Sequence, residues 1–362
     1  MKDWQARALS AGLRYIQDFA AGYTRQKCGK GFKFLDESGK VISCKKTRER
    51  LASLVIPPAW KNVWICIDGN GHIQATGFDD AGRKQYIYHP KWHEASAAHK
   101  YGRLRQFARL LPSIRRNVQN DLKINELSKR RVVAAVVRLL DKACLRIGNK
   151  QYLAANDSRG ATTLSSEHVE RSENNLKFNF KGKSGKQIEL NCSDDALAAV
   201  IEDCEKSDGE FLFSYQNAND EFVAITSSDV NSYLFEVSRE SVTAKDFRTW
   251  KGSVTALCEL STMQENLSKT AQKRAIRAAV KAAAQALGNT PAVCRKSYIH
   301  SAILAAAEEG TLPSILRKLN VPIRRRTGLS MKEMTLVAFL TAIEEQNTKP
   351  GALEVVPVEI AA

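Results

Sequence analysis

Apolar positions follow one pattern over roughly the first ninety residues and another beyond them. After one short helix, aromatic and β-branched residues gather in short runs: FKFLDESGKV, then 62–68 (NVWICID), 73–78 (IQATGF) and 84–89 (KQYIYH). Turn formers separate the runs, namely Glu37-Ser38-Gly39, Gly69-Asn70-Gly71 and Asp79-Asp80-Ala81-Gly82. Short extended runs with tight reversals between them predict a small antiparallel sheet. Residues 93–100 are polar, contain histidine and follow Pro90, so a linker is expected there.

Helical patterns take over beyond the linker. Residues 128–147 (SKRRVVAAVVRLLDKACLRI) are apolar nearly all round, which predicts a buried helix with Gly148 as its C-cap. Residues 176–190 interrupt the helices. Leu176, Phe178 and Phe180 alternate with polar residues, as do Ile188 and Leu190, and Ser184-Gly185 lies between the runs. That is a β-hairpin with a lysine-rich tip. Two further helices are expected at about 263–287 and 291–308, split by Gly288-Asn289-Thr290-Pro291, with Thr290 as N-cap and Pro291 as first helical residue. A last helix opens on the capping-box pattern Ser330-Met331-Lys332-Glu333. From about residue 346 the pattern fades into an expected flexible tail, and no internal repeat is visible.

Composition narrows the function. A chain of 362 residues with 43% hydrophobic residues can bury two cores. Its net charge of +16 calls for a polyanionic partner, with nucleic acid the first candidate. An anionic membrane surface is the rival, but no apolar run is long enough to span a bilayer. The opening MKDWQARAL lacks a signal-peptide stretch, so a soluble cytoplasmic protein is expected. The eight cysteines are scattered, with no CxxC pair and no histidine at metal-ligand spacing, and read as reduced structural thiols. No Walker-type loop or dense acidic cluster is present, so neither a cofactor nor a metal is expected.

Five residues could together break a phosphodiester. Such chemistry needs fixed cations for the developing charge, a proton donor for the leaving oxygen and a nucleophile that can hold the strand. Arg146 lies in LRIGN at the end of the apolar helix, where a lone arginine is usually a C-terminal dipole partner or a snorkelling side chain. Lys183 at the hairpin tip could be a solvated turn lysine. Arg248, in KDFRTWKGS, is flanked by the bulky Phe247 and Trp250 and should be held in place, partly buried. Asn289 and Tyr298 stand on either side of a helix start, with Tyr298 at the edge of an apolar stripe formed by Ile299 and Ile303.

Order and context speak more clearly than any one of these. LRIGNKQYLAANDSRGATTL, FKGKSG, KDFRTW and GNTPAVCRKSYIHSAIL, in that order, resemble the type IB DNA topoisomerases of poxviruses and their bacterial relatives. So does SLVIPPAWKNVWICIDGNGHIQATGFDDAGRKQYIYHPKW, and the resemblance runs from about residue 10 to residue 345. It implies an α+β protein. A small N-terminal antiparallel β-sheet domain (1–92) would clamp DNA, and residues 93–100 would link it to a mainly α-helical catalytic domain (101–345) of the tyrosine recombinase/type IB topoisomerase kind.

By the same resemblance, Tyr298 would attack the scissile phosphate and form a 3′-phosphotyrosyl link. Arg146 and Arg248 would hold non-bridging oxygens, and Lys183 would protonate the leaving 5′-oxygen. Asn289 stands where poxvirus members have histidine; its amide can donate a hydrogen bond but no proton, which confines it to transition-state stabilisation. Ser184 stands where they carry aspartate. Gln85, Tyr86, Tyr88 and Tyr152 match family residues that touch DNA. Tyr86 and Tyr88 share a strand face, whereas contact by Gln85 would require a strand end or a bulge. The run Arg324-Arg325-Arg326 reads as a solvated or phosphate-steering patch. The partner implied is double-stranded DNA, bound by a monomer acting at the nucleoid.

A site-specific tyrosine recombinase is the nearest alternative, but recombinases usually place a histidine three residues before the second arginine, and here that residue is Lys245. A DNA-binding protein without catalysis would leave the filled nucleophile, acid and arginine positions without a reason.

Overall fold

In the computed structural model, which describes residues 2–29, 31–207, 209–319 and 327–348, the β-rich N-terminal stretch is a five-stranded antiparallel sheet. Helix α1 (Lys2–Ser10) leads into β1 (Gly22–Cys28) and β2 (Gly31–Leu35), then α2 (Lys45–Ser53), β3 (Lys61–Cys66), β4 (Ile73–Phe78) and β5 (Lys84–Tyr88). The strand order is β2-β1-β3-β4-β5. Alternation puts Val63, Ile65, Ala75 and Ile87 on the face that packs against Leu51 of α2 and Ile56. A second cluster joins Ala8, Leu13 and Trp92 with Tyr15 and Tyr88. Strand β1 escaped the sequence pattern because its GYTRQKC is mostly polar and exposed; its hydrogen bonds come from β2 and β3 on either side. The polar helix α2 was missed for the same reason, with only Leu51 buried.

The chain divides into two compact units, Met1–Gly102 and Arg103–Ala362. The expected linker at 93–100 differs from the structure, where it lies within helix α3 (Pro90–Asp121). Pro90 occupies the first helical position, where a missing N–H costs nothing, and Glu94, Ala95, Ala97 and Ala98 are compatible with helix.

The second unit is mainly helical. It comprises α4 (Lys129–Ala143), α5 (Lys150–Asn156), the sheet β6 (Val169–Ser172), β7 (Asn175–Lys181) and β8 (Gln187–Ser193), then α6 (Asp195–Glu205), the hairpin β9 (Ser214–Gln216) and β10 (Phe222–Ala224), α7 (Ser227–Ser238), α8 (Ala244–Leu260), α9 (Lys269–Ala286), α10 (Pro291–Ser297), α11 (Ser301–Glu309), α12 (Leu312–Lys318) and α13 (Met331–Thr348). Helix α4 is buried on every side, as its all-round apolar surface requires, with Val132 to Val137, Leu139 and Leu140 in the core. Its end is a correction. The helix stops at Ala143, and Cys144 caps it in the left-handed conformation (φ 53°), so Gly148 and Arg146 belong to the following loop. The loop leaves helical geometry because the amides of Ala161 and Thr162 bond the carbonyls of Arg146 and Ile147. Of the cysteines, Cys66, Cys144, Cys192, Cys204 and Cys294 are buried and all eight are free thiols. The expected tail from residue 346 lies outside the described residues apart from the end of α13.

One charged network ties α3, α4, α8 and α13 together. Arg115 donates to Asp141 from Nε (2.8 Å) and Nη2 (2.9 Å), and to Glu333 from Nη2 (2.8 Å). Glu333 also accepts from Trp250 Nε1 (2.9 Å) and from the Ser330 amide (2.7 Å), which closes the predicted capping box. Burial alone would raise the Glu333 carboxyl, but the hydrogen bonds from Arg115, Ser330 and Trp250 hold it down to about 2. A depressed folded-state pKa stabilises above the unfolded value and fades as pH falls toward the folded one. Glu333→Gln is therefore expected to lose on the order of 3 kcal/mol at neutral pH. The gap between variant and wild type should narrow from pH 4.5 toward 2 in urea unfolding, and parallel stability curves over that window would refute the assignment.

Candidate active site

Arg248 is placed by its own helix and by two others. The Asp246 carboxylate accepts from the Thr243 amide (2.8 Å) and fixes the start of α8. Phe247 and Trp250 are both buried and pack edge-on against Phe107 at ring-centroid distances of 5.1 and 6.0 Å. Between them Arg248 is 5% exposed. Its Nη1 donates to the Cys144 carbonyl and its Nη2 to that of Leu287 (2.7 Å). Cys144 caps α4 and Leu287 caps α9. Two helix C-termini thus point their partial negative charge at a guanidinium that has no carboxylate partner among the described residues. Its Nε is buried without a hydrogen bond among the described residues.

Arg146 and Asn289 meet across the loops that follow those same helices. Gly148 takes φ 95° and turns the Arg146 loop back, while Gly288 takes φ 59° and lets the chain leave α9. Arg146 Nη2 donates to Asn289 Oδ1. That bond orients the amide with its Nδ2 as the remaining donor, and Nδ2 is buried with no partner among the described residues. Burial, and after it the charge of Arg248, push the Arg146 guanidinium below its ordinary pKa, with Tyr298 acting the other way. The three side chains therefore share one electrostatic neighbourhood.

Lys183 reaches the same region from the hairpin. Strands β7 and β8 pair in register from Asn175↔Ser193 to Lys181↔Gln187, and Lys183–Gly185 form a single 3₁₀ turn at the tip. Lys183 is exposed. With Arg146, Arg248, Gln187 and Leu287 it lines a cleft of about 190 Å³, in which the exposed Glu189 is the one acidic lining residue. Arg159 lines the cleft too, and sequence reasoning did not single it out. The available signal was its place in the same motif as Arg146, LRIGN…SRGATTL. Tyr298 and Asn289 flank the cleft without lining it.

The helix expected over 291–308 is broken at the candidate nucleophile. Thr290 caps α10 by accepting from the Val293 amide, as predicted, but α10 ends at Ser297 with Tyr298 as its C-cap. Helix α11 restarts at Ser301, where the His300 ring accepts from the Ala302 amide. The break is imposed by α8. Ser253 Oγ accepts from the His300 amide (3.0 Å) and donates to the Tyr298 carbonyl (3.5 Å). A Cβ on Gly252 would stand 2.4 Å from that carbonyl oxygen, so only glycine admits the approach. Ile299 and Ile303 are buried and anchor the segment. The Tyr298 ring lies with its centroid 5.2 Å from the Arg248 guanidinium carbon, within cation–π range.

Of the four residues matched to DNA contacts, Gln85, Tyr86 and Tyr88 belong to the first unit and Tyr152 to the second. Tyr86 and Tyr88 do share a face of β5, with rings stacked at 5.8 Å and Tyr86 44% exposed. Gln85 stands near the start of β5 and bonds Asp79 (2.9 Å), while the bulge lies toward the other end. Tyr152 is 54% exposed on α5, a separate helix capped by Asn149, so it does not continue the helix that precedes Arg146. The run 324–326 lies outside the described residues.

Residues 89–312 match the family described as "Eukaryotic DNA topoisomerase I, catalytic core". Residues 31–79 match "Bacterial DNA topoisomerase IB, N-terminal domain". The DNA topoisomerase 1B of Acanthamoeba polyphaga mimivirus is 31% identical over 77% of this chain and 85% of its own length. DNA topoisomerase 1B of vaccinia virus (strain Copenhagen) is 24% identical over 67% of this chain and 75% of its own. DNA topoisomerase 1 beta of Arabidopsis thaliana is 31% identical over 43% of this chain but only 16% of its own length. A DNA topoisomerase catalytic core joined to an N-terminal domain of the bacterial kind is the class these matches define. The chain belongs to the type IB DNA topoisomerase family; it is an isomerase whose partner is DNA. Nothing in the matches favours a recombinase.

The close approach of α8 to Tyr298 yields a direct test. Gly252→Ala must displace either the helix or the Tyr298 backbone. A displacement near 1 Å is expected to slow covalent protein–DNA adduct formation roughly tenfold to a hundredfold while leaving duplex affinity close to wild type. Adduct formation at the wild-type rate would show that the contact does not position the nucleophile.

Proposed function

We propose that Tyr298 is the nucleophile of a transient single-strand break, with Arg146, Lys183, Arg248 and Asn289 completing the site. The observation that carries this reading is the Tyr298 ring beside a buried guanidinium that has no carboxylate partner among the described residues. The Tyr298 hydroxyl gives up its proton to water as its oxygen bonds to phosphorus, and the bond from phosphorus to the 5′-oxygen breaks; on resealing, the phenolate leaves and regains a proton from water. Lys183 gives its proton to that oxygen and takes it back when the 5′-hydroxyl reseals the strand. Arg146 and Arg248 hold the non-bridging oxygens, where charge accumulates in the transition state. Asn289 adds one hydrogen bond from its unpartnered Nδ2.

The phosphotyrosyl link conserves the energy of the backbone bond, so resealing needs no ATP, and rotation of the free end relaxes supercoils of either sign. By the same proposal residues 1–92 close on the duplex through Gln85, Tyr86 and Tyr88, Tyr152 adds a contact from the catalytic unit, and the enzyme acts as a monomer on the bacterial nucleoid in the cytoplasm. The net charge of +16 supports binding dominated by phosphate contacts. No helix among the described residues is long and apolar enough to cross a membrane.

The deciding experiment is plasmid relaxation in EDTA without ATP, with wild type and Tyr298→Phe compared for a covalent adduct. Wild type should relax both positive and negative supercoils, and Tyr298→Phe should bind duplex yet form no adduct. An adduct surviving in Tyr298→Phe would sink the nucleophile assignment. Lys183 is separated from the arginines by a substrate whose 5′-bridging oxygen is sulfur, because a thiolate leaves without acid help. That substrate should rescue Lys183→Ala by orders of magnitude more than Arg146→Ala or Arg248→Ala. Equal rescue of all three would refute the division of labour.

A further inference from the structure

Arg159 shares the cleft with Arg146, Lys183 and Arg248, and the backbone around it joins the loop of one to the hairpin of another. Its amide donates to the Lys181 carbonyl (2.8 Å), two residues before Lys183. A Cβ on the next residue, Gly160, would stand 2.5 Å from the Gly148 nitrogen and 2.6 Å from the Arg146 carbonyl oxygen. The amides of Ala161 and Thr162 then bond the carbonyls of Arg146 (2.8 Å) and Ile147 (2.7 Å). Residues 159–162 thus form a bridge between the two catalytic segments, and the Arg159 side chain stands on that bridge.

The guanidinium is only partly committed. Nη1 donates to the Thr163 carbonyl (3.1 Å) and Ser165 Oγ (3.3 Å), which are both neutral. Nε and Nη2 make no bond to a described residue, and no carboxylate among the described residues forms an ion pair with it. The effect is felt nearby, where burial and then Arg159 hold His168 below its ordinary pKa. Arginines elsewhere in the unit are treated differently: Arg115, Arg130, Arg131 and Arg138 each lie within 2.9 Å of an aspartate. A half-buried guanidinium with two neutral acceptors and spare donors is suited to a bidentate anion.

We propose that Arg159 binds a non-bridging oxygen of the DNA phosphate adjoining the scissile one, on the side of the cleft that Lys183 occupies. It would then set the position of the strand that carries the leaving 5′-oxygen. The side follows from its tethers, which run to the hairpin and to residues 163–165 and not to Asn289, Arg248 or Tyr298. This inference rests on the roles proposed above for Tyr298 and Lys183.

The test is a double substitution, one half in the protein and one in the DNA. Duplex binding is measured with Tyr298→Phe protein, to exclude covalent chemistry, over a salt series. One duplex is unmodified, and another carries a neutral methylphosphonate at the adjoining phosphate. The methylphosphonate is expected to weaken the Arg159-containing protein roughly tenfold. Arg159→Gln should be weakened similarly on plain DNA, lower the slope of log affinity on log salt by about 1, and lose little more on the modified duplex. Arg159→Lys should retain the slope, and Arg159→Ala takes the place of Arg159→Gln if the latter does not fold. Losses that simply multiply, or a salt slope unchanged in folded Arg159→Gln, overturn the proposal. Adduct formation by wild type on plain duplex is read in parallel: its absence refutes the catalytic roles, and the loss of additivity in binding still reports on Arg159.

Discussion

The catalytic unit is organised around a positive charge taken out of water. Burying a guanidinium costs several kcal/mol unless fixed dipoles or counter-charges replace its hydration. At Arg248 the replacement is two backbone carbonyls, those of Cys144 and Leu287, each at the end of a helix. This imposes geometry on everything nearby. Helix α4 must stop at Ala143, and Cys144 must adopt a left-handed conformation for which glycine is the usual choice. Helix α9 must end where the Leu287 carbonyl faces the same nitrogen fork. The loops that leave those ends carry Arg146 and Asn289, so the arrangement that compensates Arg248 also gathers its companions.

The same helix that carries Arg248 shapes the tyrosine segment. Arg248 and Gly252 are four residues apart and therefore lie on one face of α8. The first puts its guanidinium beside the Tyr298 ring, and the second removes the side chain that would push the Tyr298 backbone away. Ser253 adds hydrogen bonds to both sides of the break between α10 and α11. The candidate nucleophile thus stands at a helix terminus, clasped by a neighbouring helix through backbone contacts on two sides.

Charge is distributed unevenly. Several arginines of the helical unit carry carboxylate partners, as Arg115 does with Asp141 and Glu333 and Arg138 with Asp194. In the cleft, Arg146, Arg159, Lys183 and Arg248 have no ion pair among the described residues. Positive charge is thus concentrated in the cleft, where the proposed mechanism puts the phosphodiester, and the excess of +16 over the whole chain adds a longer-ranged, salt-screened attraction. The Arg115–Glu333–Trp250 network fixes α13 to α8 and so supports the site from behind.

Much of this was legible in the amino-acid order. Alternating Leu176, Phe178 and Phe180 foretold the hairpin, the apolar surface of α4 foretold its burial, and Thr290-Pro291 and Ser330…Glu333 marked helix starts. These signals are local, because strand period, all-round hydrophobicity and cap chemistry are set by residues a few positions apart. The ordered motifs around Arg146, Lys183, Arg248 and Tyr298 carried the family as well. Besides the polar elements β1 and α2, the stop of α4 at Cys144, the break at Tyr298, the helix through residues 93–100 and the place of Arg159 in the cleft were not legible. The α4 stop, the break and the placement of Arg159 are decided by groups distant in sequence: the fork of Arg248, the missing side chain of Gly252, and the bridge from Arg159 to Lys181 and from Ala161 to Arg146. The helix at 93–100 depended on helix formers that its polar, proline-led pattern obscured. A sequence states which residues favour helix, strand or turn, but where a helix ends in a packed core depends on which distant donor claims its last carbonyls, and only the tertiary structure settles that.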